Sequence, residues 1–518
     1  MKIRRRCARA CAALLSALFS VSSGRAEVKP HALICENAVF QQKMPVPIWG
    51  TAKDGEKVTV EFCGQSHSTV ATNGRWKVVL EPIAAGGPFT LKITGDNAIA
   101  FTNVLVGEVW ICSGQSNMAH ELAGVRDAAK ELAEANFPQI RMWHMKYGIS
   151  LQPQDTCESL DGKWVLCNPT SAGPFSAVGY FFARDLHQKL GVPMGMIHTS
   201  WGATSAAQWT SEEALAAEPK LKPVLDFKRK VIDDYIQSVL KLVPELQTWK
   251  TETEAAIAQG RTPQMPPSIQ QRLAPDPLNL YTHLPTGVFN VMLNPITPAT
   301  IRGVIWYQGE QDSSQAESYR TGFPTMIRDW RQRFRKPDLP FLYVQISTIN
   351  APTEQPQERS AWAELREAQA ACLDVPHTAM VVSTDLGDVN DPHPRNKQDV
   401  GKRLARAARA TVYGEKIAHQ GPTYKQMQVE KGKIRLHFNH LRGGLVTNDK
   451  EPPKGFAIAG EDKKFVWAKA KIDGDTVLVW SDSVPQPVAV RYAWADMPLC
   501  NLTNKEGLPA VPFRTHPW

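Results

Sequence analysis

The chain has 518 residues, 43% of them hydrophobic and 21% charged, which excludes both a disordered tail and a small disulfide-stapled module. The net charge of +8 would suit a polyanion, but six of the basic residues (Lys2, Arg4, Arg5, Arg6, Arg9 and Arg25) fall in the first 26, where no acidic residue offsets them. The rest of the chain is nearly balanced, so nucleic acid is not expected as a partner.

In chain order, residues 1–26 combine a basic head, a small-residue apolar run from Ala8 to Ser23 and the ending Gly24-Arg25-Ala26, the pattern of a cleaved secretory signal. The run is too short and too interrupted by Arg9 for a span, and no later stretch approaches the roughly 18 apolar residues one needs. The expectation is a secreted or periplasmic protein with no stable membrane span in its mature form. Export permits disulfides. Seven cysteines remain beyond residue 26, an odd number that forbids complete internal pairing, and Cys157 and Cys167 are close enough in sequence for a local bridge. No pair has zinc-ribbon or redox spacing, so neither metal nor cofactor is expected.

Residues 27–103 show period two, with Val58, Val60 and Phe62 and later Phe89, Leu91 and Ile93 facing one way, punctuated by turns such as Asn73-Gly74. This predicts an N-terminal β domain. From 104 to 413 short apolar runs alternate with amphipathic segments. Strands are expected at Val104–Cys112, Met194–Thr199, Ile301–Trp306, Phe341–Ile346 and Thr378–Ser383. Helices are expected at Ala119–Ala135, Ser176–Leu190, Glu317–Phe334, Ser360–Cys372 and Asn396–Val412. That alternation predicts an α/β domain of three α/β/α layers, interrupted at about 211–274 by a helical insertion with no strand signal. Period two returns in 414–518, at Ile434, Leu436 and Phe438 and at Val477 and Val479, predicting a C-terminal β domain.

Ligands of open α/β sheets gather beyond the carboxyl ends of strands, and four such ends carry reactive residues. Cys112-Ser113-Gly114-Gln115-Ser116-Asn117-Met118 places Ser116 between a strand and a helix, as a nucleophile turn would, although an ordinary helix cap reads the same way. His198-Thr199-Ser200-Trp201-Gly202 offers a bare backbone N–H at Gly202, or simply a tight turn. Trp306-Tyr307-Gln308-Gly309-Glu310 supplies an amide donor and a carboxylate able to orient a histidine, or a solvated loop. In Asp391-Pro392-His393-Pro394 two prolines extend the backbone around His393, and residues two apart in an extended segment face the same way. Together these make Ser116 a nucleophile, His393 its base and Asp391 the orienting acid. The Ser116 and Gly202 N–H groups and the Gln308 amide would stabilise the oxyanion.

Gly-Gln-Ser-Asn-Met at 114–118, Trp-Tyr-Gln-Gly-Glu at 306–310 and Asp-Pro-His-Pro-Arg-Asn-Lys-Gln at 391–398 resemble the signature blocks of sialate O-acetylesterases and related carbohydrate acetylesterases of the SGNH-hydrolase superfamily. Pro45-Val46-Pro47-Ile48-Trp49-Gly50 and Cys500-Asn501-Leu502-Thr503-Asn504-Lys505-Glu506-Gly507 are similar to that family's flanking β segments. The resemblance implies an SGNH-hydrolase-like core between β-sandwich-like domains. It also implies a serine esterase that removes O-acetyl groups from carbohydrate, sialic acid first and acetylated xylan or another polysaccharide as the alternative. Two features depart from the pattern. The superfamily's usual acid stands three residues before the histidine, where this chain has Asn390, and some relatives use a glutamate in the third block, which makes Glu310 the alternative acid. Trp201, Trp209 and Trp306 fall near the proposed site and suit a sugar face or a core. The rival readings are a non-catalytic carbohydrate-binding protein and a metal hydrolase built on Asp385, Asp388, Asp391 and His393.

Overall fold

The computed structural model describes residues 27–156, 162–272 and 284–516. The expected signal at 1–26 and Cys157, half of the candidate local bridge, lie outside the described residues. The fold is α/β, organised by the 17-residue strand β1 (Ala98–Gly114). Its first residues alternate exposed and half-buried and pair antiparallel with Gly86–Thr94, as in a sheet with one wet face. From Val104 onward every residue is buried. The boundary expected after residue 103 falls inside this strand: the patterning changes there, but the backbone runs straight on.

The buried half of β1 sits in the middle of a sheet completed by β2 (Phe137–His144), β3 (Val165–Cys167), β4 (Met194–Ser200), β5 (Gly303–Tyr307), β6 (Phe341–Val344) and β7 (Thr378–Val381), in the order β3-β2-β4-β1-β5-β6-β7. All neighbours are parallel except β3 on β2. Strands covered on both faces read as unbroken apolar runs, which is why β4 to β7 were legible in sequence. β2 was not, because Pro138, Gln139 and Arg141 interrupt its run.

Helices pack on both faces. On one, Phe323 and Trp330 of α3 (Ala316–Arg333) meet Trp306, Phe341 and Tyr343 with ring centroids 5.1–6.2 Å apart, beside α4 (Ala361–Ala371). On the other, Phe181 and Phe182 of α2 (Ala177–Leu190) and Leu404 of α5 (Lys397–Thr411) cover Cys112, Ile305 and Leu342. The single helix expected over Ala119–Ala135 is instead a four-residue helix, α1 (Ser116–Ala119), a 3₁₀ turn at Leu122–Gly124 and a helix at Ala128–Ala133. Asp127 before the last piece is left-handed (φ 57°), so one helix cannot run through it.

The insertion is helical, with helices at Glu212–Ala217, Lys222–Leu240, Val243–Ala258 and Pro267–Arg272. Beyond α5, two four-stranded antiparallel sheets share one core that includes Leu436, Phe438, Val477, Val479, Ile458, Val490 and Phe513. Among the described residues no helix is long and apolar enough to cross a membrane.

Candidate active site

The carboxyl ends of β1 and β5 are drawn together by a glycine. At Gly114 (φ 139°) a Cβ would lie 2.1 Å from the Tyr307 carbonyl oxygen, so only glycine lets the strands approach there. The Gln115 N–H then donates to Tyr307 O (3.0 Å), and Gln115 Oε1 accepts from the Gly309 and Gln311 N–H groups (3.3 and 3.2 Å). This pins the turn before Ser116 to the loop that carries Glu310. Ser116 is the first residue of α1, three residues earlier than the expected helix start, so its N–H has no intrahelical acceptor. Ser176, which caps α2, also donates to the Met118 carbonyl at 2.6 Å and holds α1 from behind.

Ser116, His393 and Asp391 come together. His393 Nε2 lies 2.8 Å from Ser116 Oγ, and His393 Nδ1 lies 2.9 Å from Asp391 Oδ1. The same carboxylate oxygen accepts the His393 backbone N–H at 2.8 Å, a closed two-residue turn between Pro392 and Pro394. The slight burial of Asp391 raises its pKa, but the backbone N–H and ring of His393 outweigh that and hold it below the usual carboxylate range. Both side chains stay open to solvent, at 36% for His393 and 53% for Asp391.

Glu310, the alternative acid, bonds elsewhere. Its Oε1 accepts from Asn117 Nδ2 at 2.6 Å, and its Oε2 is sealed from solvent with no hydrogen-bond partner among the described residues. Burial pushes its pKa up, against the Asn117 bond and the Lys397 charge that lower it. Asn117 Nδ2 also donates to the Pro392 carbonyl at 2.9 Å, and Asn117 Oδ1 accepts from Lys397 Nζ. Neither Asn117 nor Lys397 was picked out from sequence. The available signal was helical spacing: Lys397, Val400, Gly401 and Leu404 share the buried face of α5, and a lysine on such a stripe needs a partner.

Of the expected oxyanion donors, Gly202 is beside the nucleophile, where an added Cβ would lie 3.5 Å from Ser116 Cβ. Gln308 is a correction. It is fully buried, and its amide nitrogen donates to Thr204 O (3.1 Å) and to Asp312 Oδ2 (2.7 Å), which leaves it bracing the loop around Gly202. Asp312 also accepts the Ala206 N–H, and burial raises its pKa to about 6. Trp209 and Trp306 are core residues with no exposure. Trp201, next to Gly202, is half-buried and stacks on Tyr147, centroids 4.7 Å apart and planes 13° from parallel. Asp385 is held by Arg403 at 2.5 Å, and among the described residues no three side chains of suitable type converge.

A profile of the carbohydrate esterase, sialic acid-specific acetylesterase family matches residues 269–410. Over 560 aligned residues the chain is 30% identical to a sialate O-acetylesterase of Rattus norvegicus, with 96% of each chain covered. It is 29% identical to the sialate O-acetylesterase of Homo sapiens, covering 92% of this chain and 90% of that one. Among solved structures, a carbohydrate acetylesterase from Xanthomonas citri superposes with a TM-score of 0.80 at 35% identity, covering 95% of this chain and 100% of that one.

Proposed function

Because the chain belongs to the sialate O-acetylesterase family, we propose that it hydrolyses O-acetyl esters of sialic acid through Ser116. It is a carboxylic ester hydrolase of carbohydrate. The observation that carries the serine mechanism is the contiguous line Ser116 Oγ, His393, Asp391, at 2.8 and 2.9 Å. Ser116 Oγ attacks the acetyl carbonyl while His393 Nε2 takes its proton. Asp391 keeps the ring's other proton on Nδ1, so that Nε2 is the free base, and stabilises the imidazolium as it forms. The N–H groups of Ser116 and Gly202 receive the developing oxyanion, each such donor contributing on the order of 10²–10³ in rate. His393 gives its proton to the sugar oxygen as the acyl C–O bond breaks, releasing the sugar hydroxyl, then activates water to clear the acetyl group from Ser116.

The SGNH-hydrolase arrangement of the core, the β-sandwich character of its flanks and export of the mature chain complete this reading. Acetate release from O-acetylated sialic acid and from acetylated xylan, measured for wild type and Ser116→Ala, tests it. We expect release from the sialate and a loss of at least about 10⁴-fold in the variant. Release that survives the substitution overturns the serine mechanism, and release from xylan alone overturns the substrate.

A further inference from the structure

We infer that Lys397 is a positioning residue of the esterase site, acting through Asn117 to hold the Pro392–His393 backbone against the nucleophile helix. The inference rests on the serine mechanism proposed above. It begins with what joins the two halves of the site. Ser116 rides on α1 and His393 on the irregular segment between β7 and α5, and their mutual hydrogen bond is remade at every proton transfer. Asn117 provides a second, non-reacting connection: its Nδ2 donates to Pro392 O at 2.9 Å, one residue from the base, while its own backbone is one residue from the nucleophile. The same Nδ2 donates to Glu310 Oε1 at 2.6 Å.

The two acceptors on Nδ2 favour one direction of the amide, and Lys397 reinforces it from the other end. Asn117 and Lys397 both have 0% exposure, and Lys397 Nζ donates to Asn117 Oδ1. A lysine nitrogen has donors and no acceptor role as an ammonium, so it rejects the flipped amide, whose Nδ2 would face it. Without Lys397 the flip is opposed by Glu310 Oε1 and Pro392 O alone, and Asn117 Oδ1 is left buried without its donor, which loosens the amide that holds Pro392 O. The ammonium also sits 5.4 Å from the Tyr307 ring centroid, a further cationic contact on the β5 side. A buried ammonium is costly, so its presence behind Ser116 calls for a return in the site it serves.

The groups facing Lys397 are Asn117 from α1, Tyr307 and Glu310 from β5 and the loop after it, Asp391 and His393 from the histidine segment, and His120 beyond α1. Burial lowers the Lys397 pKa to about 7, with Glu310 and Asp391 opposing the fall. The positioning charge is therefore lost as pH rises through neutral. Arginine keeps its charge throughout that range.

The test is hydrolysis of 4-nitrophenyl acetate across pH 6–9.5 by wild type, Ser116→Ala, Lys397→Met, Lys397→Arg, Asn117→Ala and the Lys397→Met/Asn117→Ala double variant. Circular dichroism reports the folded fraction of each. Lys397→Met should lower kcat about 10²-fold with KM within about twofold, the cost of a misplaced base. The double variant should be no worse than Asn117→Ala, because the lysine acts through the amide. The alkaline fall of kcat in wild type should be absent from Lys397→Arg. Lys397→Met within about threefold of wild type, or single losses that multiply in the double variant, overturns the inference. If Lys397→Met does not fold, Asn117→Ala and Lys397→Arg decide it alone: wild-type kcat in Asn117→Ala, or an unchanged alkaline limb in Lys397→Arg, overturns it. Full activity of Ser116→Ala would instead overturn the serine mechanism on which it rests.

Discussion

Asp391 and Glu310 are the same chemistry in opposite surroundings. Asp391 is half open to water on a proline-bounded turn and reaches His393 over two residues. Glu310 has one carboxylate oxygen sealed from solvent and, among the described residues, gives its other oxygen to Asn117. The difference teaches that orienting the base and anchoring the nucleophile are separate tasks. The first is local to one turn, and the second depends on contacts nearly 200 residues apart in sequence.

Substituting the two acids separately puts that division at risk. Asp391→Asn keeps the shape of the turn but removes the charge that stabilises the imidazolium, and it should lower kcat by about 10²–10⁴-fold in steady-state assays with 4-nitrophenyl acetate. Glu310→Gln should cost about tenfold at unchanged KM, since Asn117 keeps its Pro392 bond. The reverse ranking would make Glu310 the orienting acid. A smaller effect is expected at the Trp201–Tyr147 stack. Tyr147→Ala removes half of the stack on Trp201 and should raise KM for an acetylated sugar by about fivefold, roughly 1 kcal/mol, while leaving 4-nitrophenyl acetate unaffected. Equal effects on both substrates would mean that the stack supports the loop and does not touch sugar.

A further expected effect is thermodynamic. Lys397 has its pKa lowered from 10.5 to about 7 by burial, so between those values the unfolded chain holds a proton that the folded chain does not. Unfolding then takes up a proton, and stability rises with pH across that window. Urea unfolding at pH 7 and pH 9.5 should show wild type gaining on Lys397→Met at the higher pH. A constant difference would mean that the buried lysine stays charged.

How much of this was legible in the sequence follows the range of the interactions. The histidine turn could be read because two prolines and an acid two residues from the ring act within four positions. The apolar strands β4 to β7 could be read because burial on both faces leaves continuous runs. Gln308 misled for the opposite reason: its use is decided by Thr204 and Asp312, and only the folded chain shows that the amide is already engaged. Tyr147 left no trace because it follows a strand whose Pro138 and Arg141 hide it. Asn117 and Lys397 stood inside blocks already singled out, but what joins them lies 280 positions apart.

The single strand that passes from the N-terminal sheet into the centre of the core also ties two melting behaviours together. β1 gives its first residues to Gly86–Thr94 and its last to β4 and β5, ending two residues before Ser116. The N-terminal sheet therefore cannot be clipped away as an appendage: cutting at residue 103 would sever the strand on which the nucleophile is mounted. Protection against hydrogen exchange in Val58, Val60 and Phe62 should be lost in the same cooperative event as protection in Trp110 and Ile111.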